Sequence, residues 1–335
     1  MSSSDVTRDG QQGVHPGRDA LTGRNHRRKG RRGERAMVPD AEFTSYYGKP
    51  VLNPPVWKPV DIAGYFFLGG LAGGSSLLAA GAEATARPAL ARVGKVGAFG
   101  AISLSLVALV EDLGRPARFI NMLRVFKPTS PMNLGSWLLA VYAPLTGAAM
   151  VSDLARRLPR VGHAATAAAA ALGPAVATYT AVLVADTAVP AWHGAYPEMP
   201  FAFAGSGLSA AGGLGLLAAP LSESGPALRL SVLGGAMEVA ALRRMEHRLG
   251  EAAEPYSNGS SGTLMKAAEA ATAAGIILGQ LGRRRRVLRA IAGGALVGAS
   301  ALTRLGIFQA GMESARNPKY TVTPQRTRLK DRDIS

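Results

Sequence analysis

The sequence contains no cysteine, so this chain alone cannot build a disulfide, a thiolate zinc site or a cysteine-ligated iron–sulfur cluster. Histidine is scarce: His15 and His26 lie in the N-terminal tail, and His163, His193 and His247 stand at the boundaries of apolar segments. No two of them form the mid-membrane pair that a haem needs as axial ligands, and no spacing suggests another metal. Acidic residues are also few, with 22 Asp and Glu against 38 Lys and Arg and a net charge of +16. Such a balance is common in nucleic-acid-binding chains, but here the basic residues flank apolar runs without interleaved stacking aromatics. That pattern suits loops beside anionic lipid, so membrane lipid is the expected partner and nucleic acid is not.

What remains is apolar. The chain is 47% hydrophobic, and uncharged runs of about 20 residues, the length that crosses a bilayer core, recur between charged loops. The expected fold is an all-α polytopic membrane protein with eight transmembrane helices in two four-helix bundles, multi-pass in the cell membrane. The predicted spans fall at about 60–82, 93–111, 132–151, 164–185, 199–220, 226–245, 263–281 and 287–310. Glu238, Arg243 and Arg244 interrupt the sixth, and Glu269 interrupts the seventh. Residues 1–36 are polar and Arg-rich without an apolar core, which predicts a disordered tail rather than a signal peptide. Residues 37–59 form an interfacial lead-in marked by Trp57, residues 60–311 the transmembrane domain, and 312–335 a polar C-terminal tail. Small residues four apart, Gly69 with Gly73 and Gly70 with Gly74, then Gly275 with Gly279 and Gly294 with Gly298, predict close helix packing.

Ionisable groups within apolar spans are costly, and each invites either a functional role or a structural ion pair. Asp61 and Tyr65, at i and i+4, share one face of the first span. They read as an interfacial tyrosine beside a solvated aspartate, or as a carboxylate and a phenol able to hydrogen-bond a quinone carbonyl and exchange its proton. Tyr179 and Asp186, seven apart in the fourth span, fall on one face and could complete such a pocket. Glu238, Glu269 and Arg304 form a second candidate set, a proton path or, on a rival reading, the coupling residues of a secondary transporter. Residues 60–185 and 199–310 show no inverted repeat, which counts against the transporter.

Several motifs are similar to a known family. Tyr46-Tyr47-Gly48-Lys49-Pro50, Trp57 with Tyr65-Phe66-Phe67-Leu68-Gly69-Gly70, Asp112-Leu113-Gly114-Arg115-Pro116-Ala117-Arg118, and Ser130-Pro131-Met132-Asn133-Leu134-Gly135 resemble the NrfD/PsrC family, the membrane subunits of polysulfide reductase-like complexes. Phe308-Gln309-Ala310-Gly311-Met312-Glu313 followed by Asn317-Pro318-Lys319-Tyr320 resembles that family's C-terminal end. The resemblance implies a haem-free eight-helix protein, non-catalytic alone, that binds menaquinone or another quinone. It implies as partners a ferredoxin-like iron–sulfur subunit and a molybdopterin catalytic subunit. Asp61 and Tyr65 fall where the family presents polar quinone ligands, although the residue types differ, and Tyr179 falls where a quinone-contacting tyrosine is expected. In the loop, Gly114 permits a bend, Pro116 ends the helix, and Asp112 can pair with Arg115 or Arg118. With Ser130 and Asn133 these residues serve architecture or a docking surface for the iron–sulfur subunit.

Overall fold

The structure is a computed structural model that describes residues 51–112 and 117–324, together with a small antiparallel pair, β1 (Val6–Thr7) and β2 (Gly10–Gln11). The helices that shape the fold are α1 Pro59–Ala84, α2 Pro88–Asp112, α3 Ala117–Met122, α4 Pro131–Ala155, α5 Pro159–Ala185, α6 Pro190–Gly194, α7 Met199–Ala218, α8 Gly225–Leu249, α9 Glu254–Ser257, α10 Gly259–Leu281 and α11 Arg286–Arg316. Two compact units are present. One holds residues 56–311, and the other holds residues 1–55 and 312–335. In the second unit, the backbone N–H of Asn317 donates to the Glu313 carbonyl at 3.1 Å as α11 ends.

Proline starts α1, α2, α4, α5 and α6. Its fixed φ suits the first helical turn, where its missing N–H costs nothing. Side chains from distant loops satisfy other orphan groups at helix ends. The Glu223 carboxylate accepts from the N–H of Leu90 at 2.9 Å in the first turn of α2. Arg286 donates to the closing carbonyls of α7, at 2.6 Å to Ala219 and 3.1 Å to Leu216. The arginine run at 283–286 therefore does more than mark a loop, since one of its members caps a helix C-terminus.

Eight of the helices have 20 or more residues, but only six are both long and apolar enough to cross a membrane: α1, α2, α4, α5, α7 and α11. α8 and α10 occupy the sixth and seventh expected spans and are long enough. They fall short in apolarity because Arg229, Glu238, Arg243, Arg244 and Glu246 lie in α8, and Lys266 and Glu269 in α10. Six apolar helices make the chain an all-α, multi-pass membrane protein.

Within the larger unit, α1 packs against α2, α5 and α7; α4 packs on α5 and α2, and α8 on α7. The contacts of α1 are backbone against backbone. A methyl group at Gly73 would stand 2.3 Å from the Gly173 carbonyl oxygen of α5, and one at Gly74 2.5 Å from the Gly207 carbonyl oxygen of α7. Glycine there lets helix axes approach closely enough for dispersion and Cα–H contacts to hold them without a hydrophobic driving force. Gly275 and Gly279 also meet neighbours closely, at Leu296 and Leu228. The Gly294 and Gly298 expectation needs correction, because a Cβ at either position would meet nothing within 4 Å. Gly293 makes the contact instead, against the Gly213 carbonyl of α7, because the helix presents that face one residue earlier.

Gly73→Ala is expected to lower the detergent melting temperature, at a cost of about 1–3 kcal/mol for overpacking. Gly81→Ala, whose added methyl meets nothing within 4 Å, should leave melting unchanged. Equal melting of the two variants would remove the α1–α5 contact from the account of stability.

Candidate functional site

The register of α1 against α5 brings Tyr65 to Tyr179. Their hydroxyls hydrogen-bond to each other, and the rings meet edge to face with centroids 6.2 Å apart. Tyr65 is 3% exposed and Tyr179 is half-buried. Each phenol offers one donor and two acceptor positions, so the pair satisfies one O–H and leaves the other with no acceptor among the described residues. Gly135 makes room for the Tyr179 ring, since a methyl there would stand 2.7 Å from it. Phe66 packs beside Tyr65 and extends the aromatic wall to Phe203 of α7.

Asp61 lies one turn before Tyr65 at the start of α1, partly exposed and 3.6 Å from the Lys58 ammonium. Asp112, at the end of α2, accepts a hydrogen bond from the Lys58 backbone N–H and lies close enough to Asp61 for the two charges to interact. Asp61, Asp112, Tyr65 and Tyr179 therefore gather at the end of the unit where α1 begins and α2 ends. Asp186 stands at the C-terminal cap of α5 and is exposed, with no contact to the phenols among the described residues.

Arg115 lies outside the described residues, as do Gly114 and Pro116, while Arg118 is exposed at the start of α3. Asn133 is the organiser of the α3–α4 connection. Its Oδ1 accepts from the Lys127 N–H at 2.7 Å, and its Nδ2 donates to the Met122 and Val125 carbonyls at 2.7 and 2.9 Å. Ser130 caps α4 by accepting from the Asn133 N–H at 3.4 Å. These two residues hold the α3–α4 connection from within.

Glu238 and Arg304 lie in the other half, with no ion pair between them among the described residues. Glu238 is 3% exposed and accepts from the Thr303 hydroxyl at 2.7 Å. Arg304 is fully buried, donates to the Phe203 carbonyl at 2.6 Å and lies 3.7 Å over that residue's ring. Glu269 stands apart from both, largely exposed and paired with Arg243.

Sequence reasoning missed two clusters. Opposite the phenols, where α1 ends, buried Lys95 lies 2.5 Å from Glu83 and 3.3 Å from Asp153, Arg92 pairs with Asp153 at 2.7 Å, and His163 lies 3.1 Å from Glu83. A lysine within the second apolar run was the available signal. The other cluster clamps α7 to α8: both Glu198 oxygens accept from Arg248, at 2.8 and 2.6 Å. No sequence spacing links residues 50 apart. Among the described residues, no group of three His, Cys, Asp or Glu side chains gathers as metal ligands.

The family described as polysulphide reductase, NrfD, matches residues 50–226. The chain belongs to the NrfD family. That match takes in the phenol pair, both aspartates and the Asn133 loop, and membership gives this NrfD chain its setting among oxidoreductase and electron-transport proteins of the membrane. No curated protein matches the chain.

The Glu198 clamp lies just before α7, and the Arg248 guanidinium holds that carboxyl below the usual range despite burial. Its stabilisation is present at neutral pH and is lost only as pH falls through the depressed value. Glu198→Gln should cost about 2 kcal/mol at neutral pH, as for a hydrogen bond to a charged group. In melting curves against pH the variant and the parent should converge in acid. A gap that persists there would show that the clamp does not act through charge.

Proposed function

We propose that this chain is the quinone-binding membrane subunit of a respiratory oxidoreductase complex, with eight membrane-spanning helices in two four-helix bundles. The observation that carries the reading is the Tyr65–Tyr179 phenol pair, buried at Tyr65 and half-buried at Tyr179. It holds one hydroxyl proton without an acceptor among the described residues, between helices at the family-matched end of the chain. A quinone carbonyl is an acceptor of the right size and polarity for that donor. Asp61 and Asp112, one to two turns nearer the surface, are placed to pass protons between water and the phenols. α8 and α10 complete the second bundle, with Glu238, Arg243, Glu246, Lys266 and Glu269 lining a cleft between them.

The substrate's redox chemistry needs an electron partner. With no cysteine in the sequence, the clusters come from another chain, a ferredoxin-like iron–sulfur subunit wired to a molybdopterin catalytic subunit. The surface around α3, fixed from within by Asn133 and bearing exposed Arg118, is the docking face we assign to that partner.

Electron paramagnetic resonance of the tagged protein, purified in mild detergent from its native membrane and reduced with dithionite, should show iron–sulfur signals in stoichiometric amount. A lone chain without a cluster or companion polypeptide would overturn the assignment. In the assembled complex, Tyr65→Phe and Asp61→Asn should each slow quinone turnover by about 100-fold or more, the usual contribution of a positioned proton donor, without loss of the partner subunits. Undiminished turnover in both would take these residues out of the mechanism.

A further inference from the structure

The two long helices that carry charge in their middles, α8 and α10, enclose a cleft of about 250 Å³. Glu238 forms its floor, midway along α8, together with Thr303 of α11. Charged groups line its mouth: Arg243 and Glu246 from α8, and Lys266 and Glu269 from α10. Tyr256 of α9 closes one side. The hydroxyls of Thr303 and of Ser206 on α7 face the Glu238 carboxylate, and α7 and α11 are among the six apolar spans, so the carboxylate lies at membrane depth.

Behind Glu238 the next charge is Arg304. Its Nε and Nη1 are buried with no hydrogen-bond partner, and no ion pair closes the gap to Glu238 among the described residues. A structural pair would have closed that gap, because unpaired buried charge costs several kcal/mol. Arg304 packs on Phe203 and Gly70 behind the cleft, so the Glu238 carboxylate is the charged group that the cleft reaches at membrane depth, and a charged group so placed calls for water. At about 30 Å³ per molecule, the cleft has room for several.

We infer that Glu238 is a proton-binding site, fed from one membrane face through the cleft between α8 and α10. Water in the cleft delivers the proton, one O–H bond forms on the carboxylate, and the same bond breaks on release. The Thr303 and Ser206 hydroxyls and the Arg304 charge favour the ionised form, while the apolar wall of Met265 and Val239 favours the neutral form. The groups thus oppose each other, as an exchangeable site requires. This inference concerns the half of the molecule away from the phenol pair and stands whether or not quinone binds there.

Dicyclohexylcarbodiimide, which reacts with protonated carboxyls in apolar surroundings, tests it on membranes containing the full-length chain, with peptides read by mass spectrometry. The expected result is an adduct on Glu238 whose rate falls about tenfold per pH unit above its titration point, and which sodium chloride does not slow at constant pH. Absence of the adduct at every pH, or a rate indifferent to pH, overturns the proposal. Slowing by sodium overturns the proton assignment in favour of a metal cation.

Discussion

Everything in the larger unit is arranged around the close approach of α1 to α5 and α7. At Gly73 and Gly74 the helices meet through carbonyl oxygens and Cα atoms, leaving no room for a methyl group. In lipid there is no hydrophobic gain from burying one apolar helix against another, so such contacts depend on fit rather than on the apolar content of the side chains. Because α1 touches α2, α5 and α7 together, its position sets which residues of these helices share a level. Tyr65 meets Tyr179, Phe66 meets Phe203, and Gly70 lies against the Arg304 guanidinium.

Polarity is then distributed by level. Acid and phenol gather where α1 begins, and an ion-pair network of Glu83, Lys95, Asp153 and Arg92 gathers where it ends. Between them lie hydroxyl contacts such as Ser76 with Tyr142 at 2.5 Å, which in turn donates to the Ala72 carbonyl at 2.7 Å. The second half uses a different plan, with charge at the middle of helices and a cleft beside it. The helices that fail the apolar criterion are the ones that wall this cleft. Ionisable residues at membrane depth are tolerated where they face protein or water rather than lipid.

Much of this was legible in the residues. Eight long helices stand where apolar runs of membrane length were read, with ends shifted by a few residues, because length and charge spacing are local properties. α8 and α10 were the runs broken by Glu238 and Glu269, and the same breaks separate them from the six apolar spans. The i to i+4 placement of Asp61 and Tyr65 was readable as well. Which residue of another helix each would meet was not, because that depends on helix register. So the Lys95 network and the Glu198–Arg248 clamp went unseen, and the buried partner of Tyr179 is Tyr65, while Asp186 is exposed at the helix end. The glycine pattern of α11 was misread by one residue, since the direction of a helix face is fixed by its neighbours and not by its own sequence.

The glycine contact and the phenol pair lie on the same two helices, about two turns apart: Gly73 on Gly173, then Tyr65 on Tyr179. A pair of helices riveted so near the phenols cannot easily slide or spread there. Whatever separates the two hydroxyls does so by turning side chains within a fixed frame, which frees that event from helix motions on the order of microseconds to milliseconds.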